Sequence, residues 1–276
     1  MAKILSTPHA HTTYVDGKNT AEEMVCSAIR AGFRSIGISE HGTQVIDSKY
    51  NLKESDIPVY IAEVRALQKK YAGQIRVHLG IERDQFSIAR REDYEYVIGS
   101  VHYLICGNDI YAADGDLEPL CECRERHFAG NGAALARAYF RNLAEYAQAY
   151  RPDILGHFDL IRKRNPTGAL YDPDDPALLK TEYEALEAIF QSGALLELNT
   201  GGMARGYLDT PYPELRMLKF WHDLGGRVIV GSDSHHVDTI DYAFDRMPDY
   251  LRAAGFNTFW ELGGEGEAQF VERALD

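Results

Sequence analysis

Cysteine is scarce in this chain: four residues in 276, at positions 26, 106, 121 and 123. That number and spacing exclude a disulfide-stapled scaffold, and Cys121-Glu122-Cys123 lacks the usual zinc-finger spacing. Long hydrophobic runs are missing too, as is the basic-then-apolar opening of a signal peptide, so no membrane span is expected and the protein is placed in the cytoplasm. There are no low-complexity tracts, charge blocks or internal repeats. Positive charge is in deficit, with 29 Lys and Arg against 42 Asp and Glu and a formal net charge of −13. Such a surface repels phosphate at long range, which argues against nucleic acid and anionic membranes as partners. A small phosphorylated ligand stays compatible with it, because bound divalent ions would concentrate positive charge at one spot.

What the chain has is alternation. At 45% hydrophobic it can bury a sizeable core, and strand-like runs alternate with helix-like segments, the pattern of βα units in a single α/β domain over residues 1–276. Strands are expected from Ile4 to Pro8 and at 35–40, 77–81, 97–101, 153–156, 194–199 and 228–232, with a weaker signal at 258–262. Helices are expected from Ala21, capped by Thr20, to Gly32, and at 56–71, 133–150, 176–191, 213–224 and 240–253. Gly42–Ser55 and Gly107–Asn131 fit neither period and read as loops over a site. The count of seven clear strands points to a TIM-like barrel, distorted or seven-stranded.

Histidines and carboxylates recur where the strand-like runs stop: His9 and His11, His41, Glu82, His102, His157, and Asp233 with His235. In a parallel α/β protein those ends share one face, where ligands collect. His9 and His11 share a strand face because side chains alternate, and Asp233 and His235 repeat that spacing near the other end of the chain. Asp16 lies just past the first pair. Imidazoles and carboxylates without cysteine suit zinc, manganese or iron, and nine ligands suffice for three ions if a carboxylate such as Glu82 bridges two. His127, His222 and His236 read as surface or supporting residues, and His78 as a packed core histidine that supports Glu82.

The motifs His9-Ala10-His11, Ser39-Glu40-His41, Gly80-Ile81-Glu82, Gly99-Ser100-Val101-His102, Gly156-His157 and Gly231-Ser232-Asp233-Ser234-His235 resemble those of the polymerase and histidinol phosphatase (PHP) family. Tyr96 to Tyr103, Gly156 to Leu160 and Glu197 to Gly202 are most similar to its stand-alone histidinol-phosphatase branch. The resemblance implies a distorted (β/α)7 barrel with three divalent ions, manganese, iron or zinc, at the C-terminal ends of the strands. Position by position it implies His9, His11, Glu82 and Asp233 on one ion, Glu82, His102 and His157 on a second, and Asp16, His41 and His235 on a third. The implied activity is hydrolysis of L-histidinol phosphate, a phosphomonoesterase step of histidine biosynthesis, through a hydroxide bridging the metals. Another small phosphate ester, a nucleotide, or an amidohydrolase-type reaction are the alternatives.

Such hydrolysis needs a proton for the leaving alcohol, for which Asp233, His235 or a metal-bound water are the candidates. It also needs cations on the phosphate oxygens: Arg205 in a Gly-rich loop and Arg162-Lys163-Arg164 beyond His157, with Ser100 as a further contact. Histidinol carries an amine and an imidazole, so an acidic wall is expected, from the long loops or from Glu40, Asp84 or Asp159. Tyr103 and Tyr207 are candidate pocket residues.

Overall fold

The computed structural model describes residues 3–46 and 49–275. In chain order its elements are β1 (Ser6–Thr7), α1 (Ala21–Arg30), β2 (Ser35–Ile38), α2 (Ile57–Lys70), β3 (Arg76–Asp84), β4 (Tyr96–Ser100), β5 (Tyr103–Cys106) and β6 (Asp109–Ala112). There follow α3 (Leu117–Phe128), α4 (Gly132–Tyr150), β7 (Ile154–Leu155), α5 (Pro176–Ser192), β8 (Leu195–Asn199), α6 (Gly201–Ala204), α7 (Leu215–Asp223), β9 (Val228–Gly231), α8 (Met247–Ala254), β10 (Thr258–Leu262) and β11 (Phe270–Ala274). One sheet runs in the order β1-β2-β3-β4-β7-β8-β9-β10-β11, while β5 and β6 form a separate hairpin. Every pairing in the large sheet is parallel except β10 with β11.

The sheet curls until its first strand meets its seventh. His11 N donates to Ser234 O at 2.9 Å and Ser234 N to His9 O at 3.3 Å, a single bridge joining the chain beyond β1 to the chain beyond β9. At the opposite end β10 wedges in, with Leu5 N donating to Glu261 Oε1 and Leu262 N to Ser6 Oγ. The barrel is distorted because closure is one bridge rather than a ladder.

Strand alternation sorts side chains into two cores. Tyr96, Ile98, Ile154, Leu195, Ile229 and Leu262 pack together inside the ring. Their neighbours Val97, Leu155, Leu196, Val228 and Val230 face outward and pack in the core that the helices cover. Gly37 and Gly80 lie beside the Tyr96 ring, which any Cβ at either position would strike. The same inward column continues toward the C-terminal ends as Glu82, Ser100, Glu197 and Asp233, so polar side chains there inherit a position fixed by the apolar layer beneath.

Helix boundaries follow local chemistry. Thr20 caps α1 in a capping box with Glu23. The helix expected over 240–253 begins only at Met247: Ala243 has φ 59°, and starting there puts Pro248 in the first turn, where its missing N–H costs nothing. The stretch Gly107–Asn131 is not a loop, since it holds β6 and α3. Only Leu120 and Cys123 of the twelve residues of α3 are buried, which leaves too faint an apolar period to read. His127 therefore sits in a helical turn, beside Asp109 at 3.1 Å, rather than in a loop. Of Gly42–Ser55, residues 47 and 48 lie outside the described residues, while Gln44, Lys49 and Tyr50 line the cavity at the barrel mouth. Among the described residues no helix is long and apolar enough to cross a membrane.

Candidate active site

Glu82, near the end of β3, is the hub of the barrel mouth. Its Oε2 lies 3.5 Å from His9 Nε2, 3.6 Å from His11 Nε2 and 2.7 Å from His41 Nδ1. Its Oε1 lies 3.5 Å from His102 Nε2 and 3.0 Å from His157 Nε2. The two oxygens of one carboxylate thus divide five histidines between them. Asp233 Oδ1 adds contacts at 3.7 Å to His9 Nε2 and 3.3 Å to His11 Nε2. Asp16 stands 3.8 Å from His41 Nε2 and 3.2 Å from His235 Nε2.

These separations suit metal binding, because two ligands about 2.1 Å from one tetrahedral ion stand about 3.4 Å apart. Among the described residues, three groups have donor atoms close enough to share an ion: His9, His11 and Asp233; His41, Glu82 and His102; and His11, Asp16, His41 and His235. His9 Nε2, His11 Nε2 and Asp16 Oδ1 are buried with no hydrogen-bond partner. Buried polar atoms are seldom left so, and divalent cations would satisfy all of them at once. The donor set fits.

Outer contacts aim the rings. His9 Nδ1 lies 2.8 Å from Glu197 Oε1, and His102 Nδ1 lies 3.0 Å from Asp84 Oδ2, so each ring keeps Nε2 for the site. Glu197 Oε2 also accepts from His157 N at 3.1 Å and Asn199 Nδ2 at 2.8 Å. Glu40, fully buried, accepts from Thr12 N and Thr12 Oγ1 and faces His11 Nδ1 at 3.9 Å.

The charge balance is that of a cation site. Burial opposes protonation of His11, yet Asp233, Glu40, Asp16 and Glu82 push its pKa up to about 10. Burial likewise opposes a charged His102, and Glu82 and Asp84 raise it to about 9. Burial would raise the carboxyls, but His41, His102 and His9 hold Glu82, and Arg205 and His9 hold Asp233, well below the usual carboxylate range. Metal ions arriving here would replace those imidazole protons.

Above the hub lies a cavity of 410 Å³, lined among others by Tyr50, Tyr103, Asp114, Lys163, Arg164, Arg205 and Tyr207. Two expected phosphate contacts are not part of it. Arg162 turns away, held by Asp159 at 3.0 Å and by Thr210 at 2.8 Å. Ser100 is fully buried and donates to Glu82 Oε1 at 2.7 Å, so it braces the hub instead. Arg205 lines the cavity but is engaged: Nη2 donates to Asp233 Oδ2 at 2.8 Å and Nη1 to Asp233 O at 2.9 Å.

The acidic wall comes from the long stretch 107–131, one of the sources expected for it. Glu40, Asp84 and Asp159 are all buried on inward partners, whereas Asp114 and Asp116 line the cavity. Asp114 follows β6 and was hidden in a polar stretch with no period; only the hairpin carries it to His102, through Ala113 N to His102 O at 2.8 Å. Glu197 was also given no role by the sequence, although a lone carboxylate inside Leu195-Leu196-Glu197-Leu198 is a signal of a paired, buried group. His78 does not support Glu82. It sits two inward positions below and its Nε2 is 2.9 Å from Gly263 O.

Comparison with known proteins agrees with this architecture. A probable histidinol-phosphatase of Deinococcus radiodurans is 29% identical over 261 residues, covering 91% of this chain and 94% of that one. The histidinol-phosphatase of Bacillus subtilis is 26% identical over 269 residues, covering 86% and 96%. The crystal structure of histidinol phosphate phosphatase from Lactococcus lactis, complexed with zinc, L-histidinol and phosphate, shares the fold at TM-score 0.67 and 20% identity, covering 93% of this chain and 95% of that one. The model of the PHP domain matches residues 8–201, from the first metal-ligand motif through the strand that carries Glu197. This chain belongs to the PHP domain family.

Proposed function

We propose that the chain is a cytoplasmic, single-domain phosphomonoesterase that hydrolyses L-histidinol phosphate to L-histidinol and phosphate, a step of histidine biosynthesis. The observation that carries this reading is Glu82, whose two oxygens are shared by five histidines at the floor of a cavity lined by both cations and carboxylates. Its ligands are proposed to be His9, His11, Asp16, His41, Glu82, His102, His157, Asp233 and His235, binding manganese, iron or zinc. Bound divalent ions would polarise the phosphoryl oxygens and acidify a water. The relatives named for histidinol phosphate support the substrate.

The protein's own groups do the rest. Lys163, Arg164 and Arg205 line the cavity and offer cations to the phosphoryl oxygens. Of the two candidate proton donors, Asp233 is a poor one, because Arg205 holds its carboxylate ionised at 2.8 Å. His235 is no freer, because its Nδ1 accepts from Arg205 Nη1 at 3.1 Å and its Nε2 faces Asp16 at 3.2 Å, so a water in the cavity is left as the proton donor to the leaving alcohol.

The test is phosphate release from L-histidinol phosphate beside sugar, nucleotide and aryl phosphates, with protein reconstituted separately with manganese, iron and zinc. A kcat/KM of at least ~10⁴ M⁻¹s⁻¹ for histidinol phosphate, well above the others, is expected. Uniformly slow turnover would refute the substrate.

A further inference from the structure

The proposed substrate carries a phosphate and an ammonium group, separated only by two carbons and the bridging oxygen. The cavity wall carries the complementary pair already joined. Lys163 Nζ donates to Asp114 Oδ2 at 2.8 Å, and both side chains line the cavity above Glu82. Neither is held there by chance. Asp114 follows the β5–β6 hairpin, and Arg164 Nε donates to its backbone carbonyl at 3.2 Å. Lys163 and Arg164 sit on the short turn after His157, with the Tyr207 ring 4.7 Å and 5.1 Å from their cationic groups. Asp114 is 29% exposed on its side chain, so a ligand in the cavity can reach it.

We propose that Asp114 is the specificity-determining residue that binds the substrate's ammonium group, and that it does so by exchanging partners with Lys163. This rests on the histidinol phosphate reading. In the free protein the two side chains neutralise each other. When the phosphate enters, its doubly charged oxygens compete for Lys163, and the ammonium takes the carboxylate that Lys163 leaves. Each charge keeps a partner throughout, so the exchange avoids stranding a half-buried ion, which would be costly. A phosphate ester without an amine can draw Lys163 away only by leaving Asp114 unpaired. The pair therefore favours substrates that carry both charges over those that carry phosphate alone.

The experiment compares kcat/KM for L-histidinol phosphate and 4-nitrophenyl phosphate in the metal-loaded wild type, Asp114→Asn and Asp114→Glu. The expected result in Asp114→Asn is a fall of about 10- to 100-fold in the ratio of the two, the size of one charge-assisted hydrogen bond, with partial recovery in Asp114→Glu. Product inhibition by L-histidinol should weaken by a similar factor while inhibition by inorganic phosphate does not. A parallel fall for both substrates would mean that Asp114 only holds Lys163 in place, and would overturn the proposal, as would an unchanged ratio. A wild type that turns over nitrophenyl phosphate but not histidinol phosphate would instead remove the substrate reading, and this proposal with it.

Discussion

Glu197 Oε1 lies 2.8 Å from His9 Nδ1, and the other oxygen of that carboxylate accepts from the backbone N of His157. One buried group on β8 thus aims a ring that follows β1 and holds the chain beyond β7. Gly231, next to it on β9, leaves the room, since a Cβ there would collide with Glu197 Oε1. Glu197→Gln keeps the shape but loses the charge that favours Nδ1–H on His9. Metal affinity should fall about 10- to 100-fold with the fold intact. Competition against a chromogenic chelator measures it, and an affinity equal to that of the wild type would remove Glu197 from the metal site.

Arg205 joins the phosphate wall to the metal floor, because its guanidinium both lines the cavity and binds Asp233. Arg205→Ala should therefore lower kcat/KM by about 10- to 100-fold and also loosen metal retention, as Asp233 Oδ2 loses its partner. Phosphate release and metal content are the two measurements. Loss of activity at undiminished metal affinity would mean that Asp233 needs no clamp.

The legible part of this site was the part set by strand period. His9, His11, Asp233 and His235 follow from alternation, and the strand ends marked Glu82, His102 and His157. Partners set by contact between distant segments were not legible. Glu197 meets His9 across 188 positions, and although its apolar neighbours mark it as a paired group, nothing local to β8 names that partner. Arg162 and Lys163 are adjacent, yet one faces Asp159 and the other the cavity, a choice made by the tight turn over Leu160–Arg164. Asp114 depended on a hairpin whose exposed Ile105 and Ile110 are as apolar as the buried Leu104 and Tyr111, so no polar alternation marked the strands.

His78, fully buried inside the barrel and bonded to Gly263 O, titrates far from the metal site. Burial is the main cause that lowers its pKa from 6.5 to about 4. Between those values the unfolded chain takes up a proton that the folded chain refuses, so this contribution is present above pH 6.5 and lost as pH falls toward 4. His78→Asn keeps a donor for Gly263 and removes the titration. The stability lost on acidification through this window should be smaller in the variant by on the order of 3 kcal/mol. Urea unfolding at each pH measures it, and superimposable pH profiles would contradict the burial of a neutral imidazole.

The central claim is that the ligands gathered around Glu82 make a metal-dependent phosphatase. The most direct measurement is phosphate release from L-histidinol phosphate by chelator-stripped protein titrated with manganese, iron or zinc, beside Glu82→Ala treated alike. Activity should be absent at first and rise with metal until about three ions are bound per chain, while Glu82→Ala neither retains the ions nor gains turnover. Full turnover by stripped protein, or by Glu82→Ala, would contradict the account.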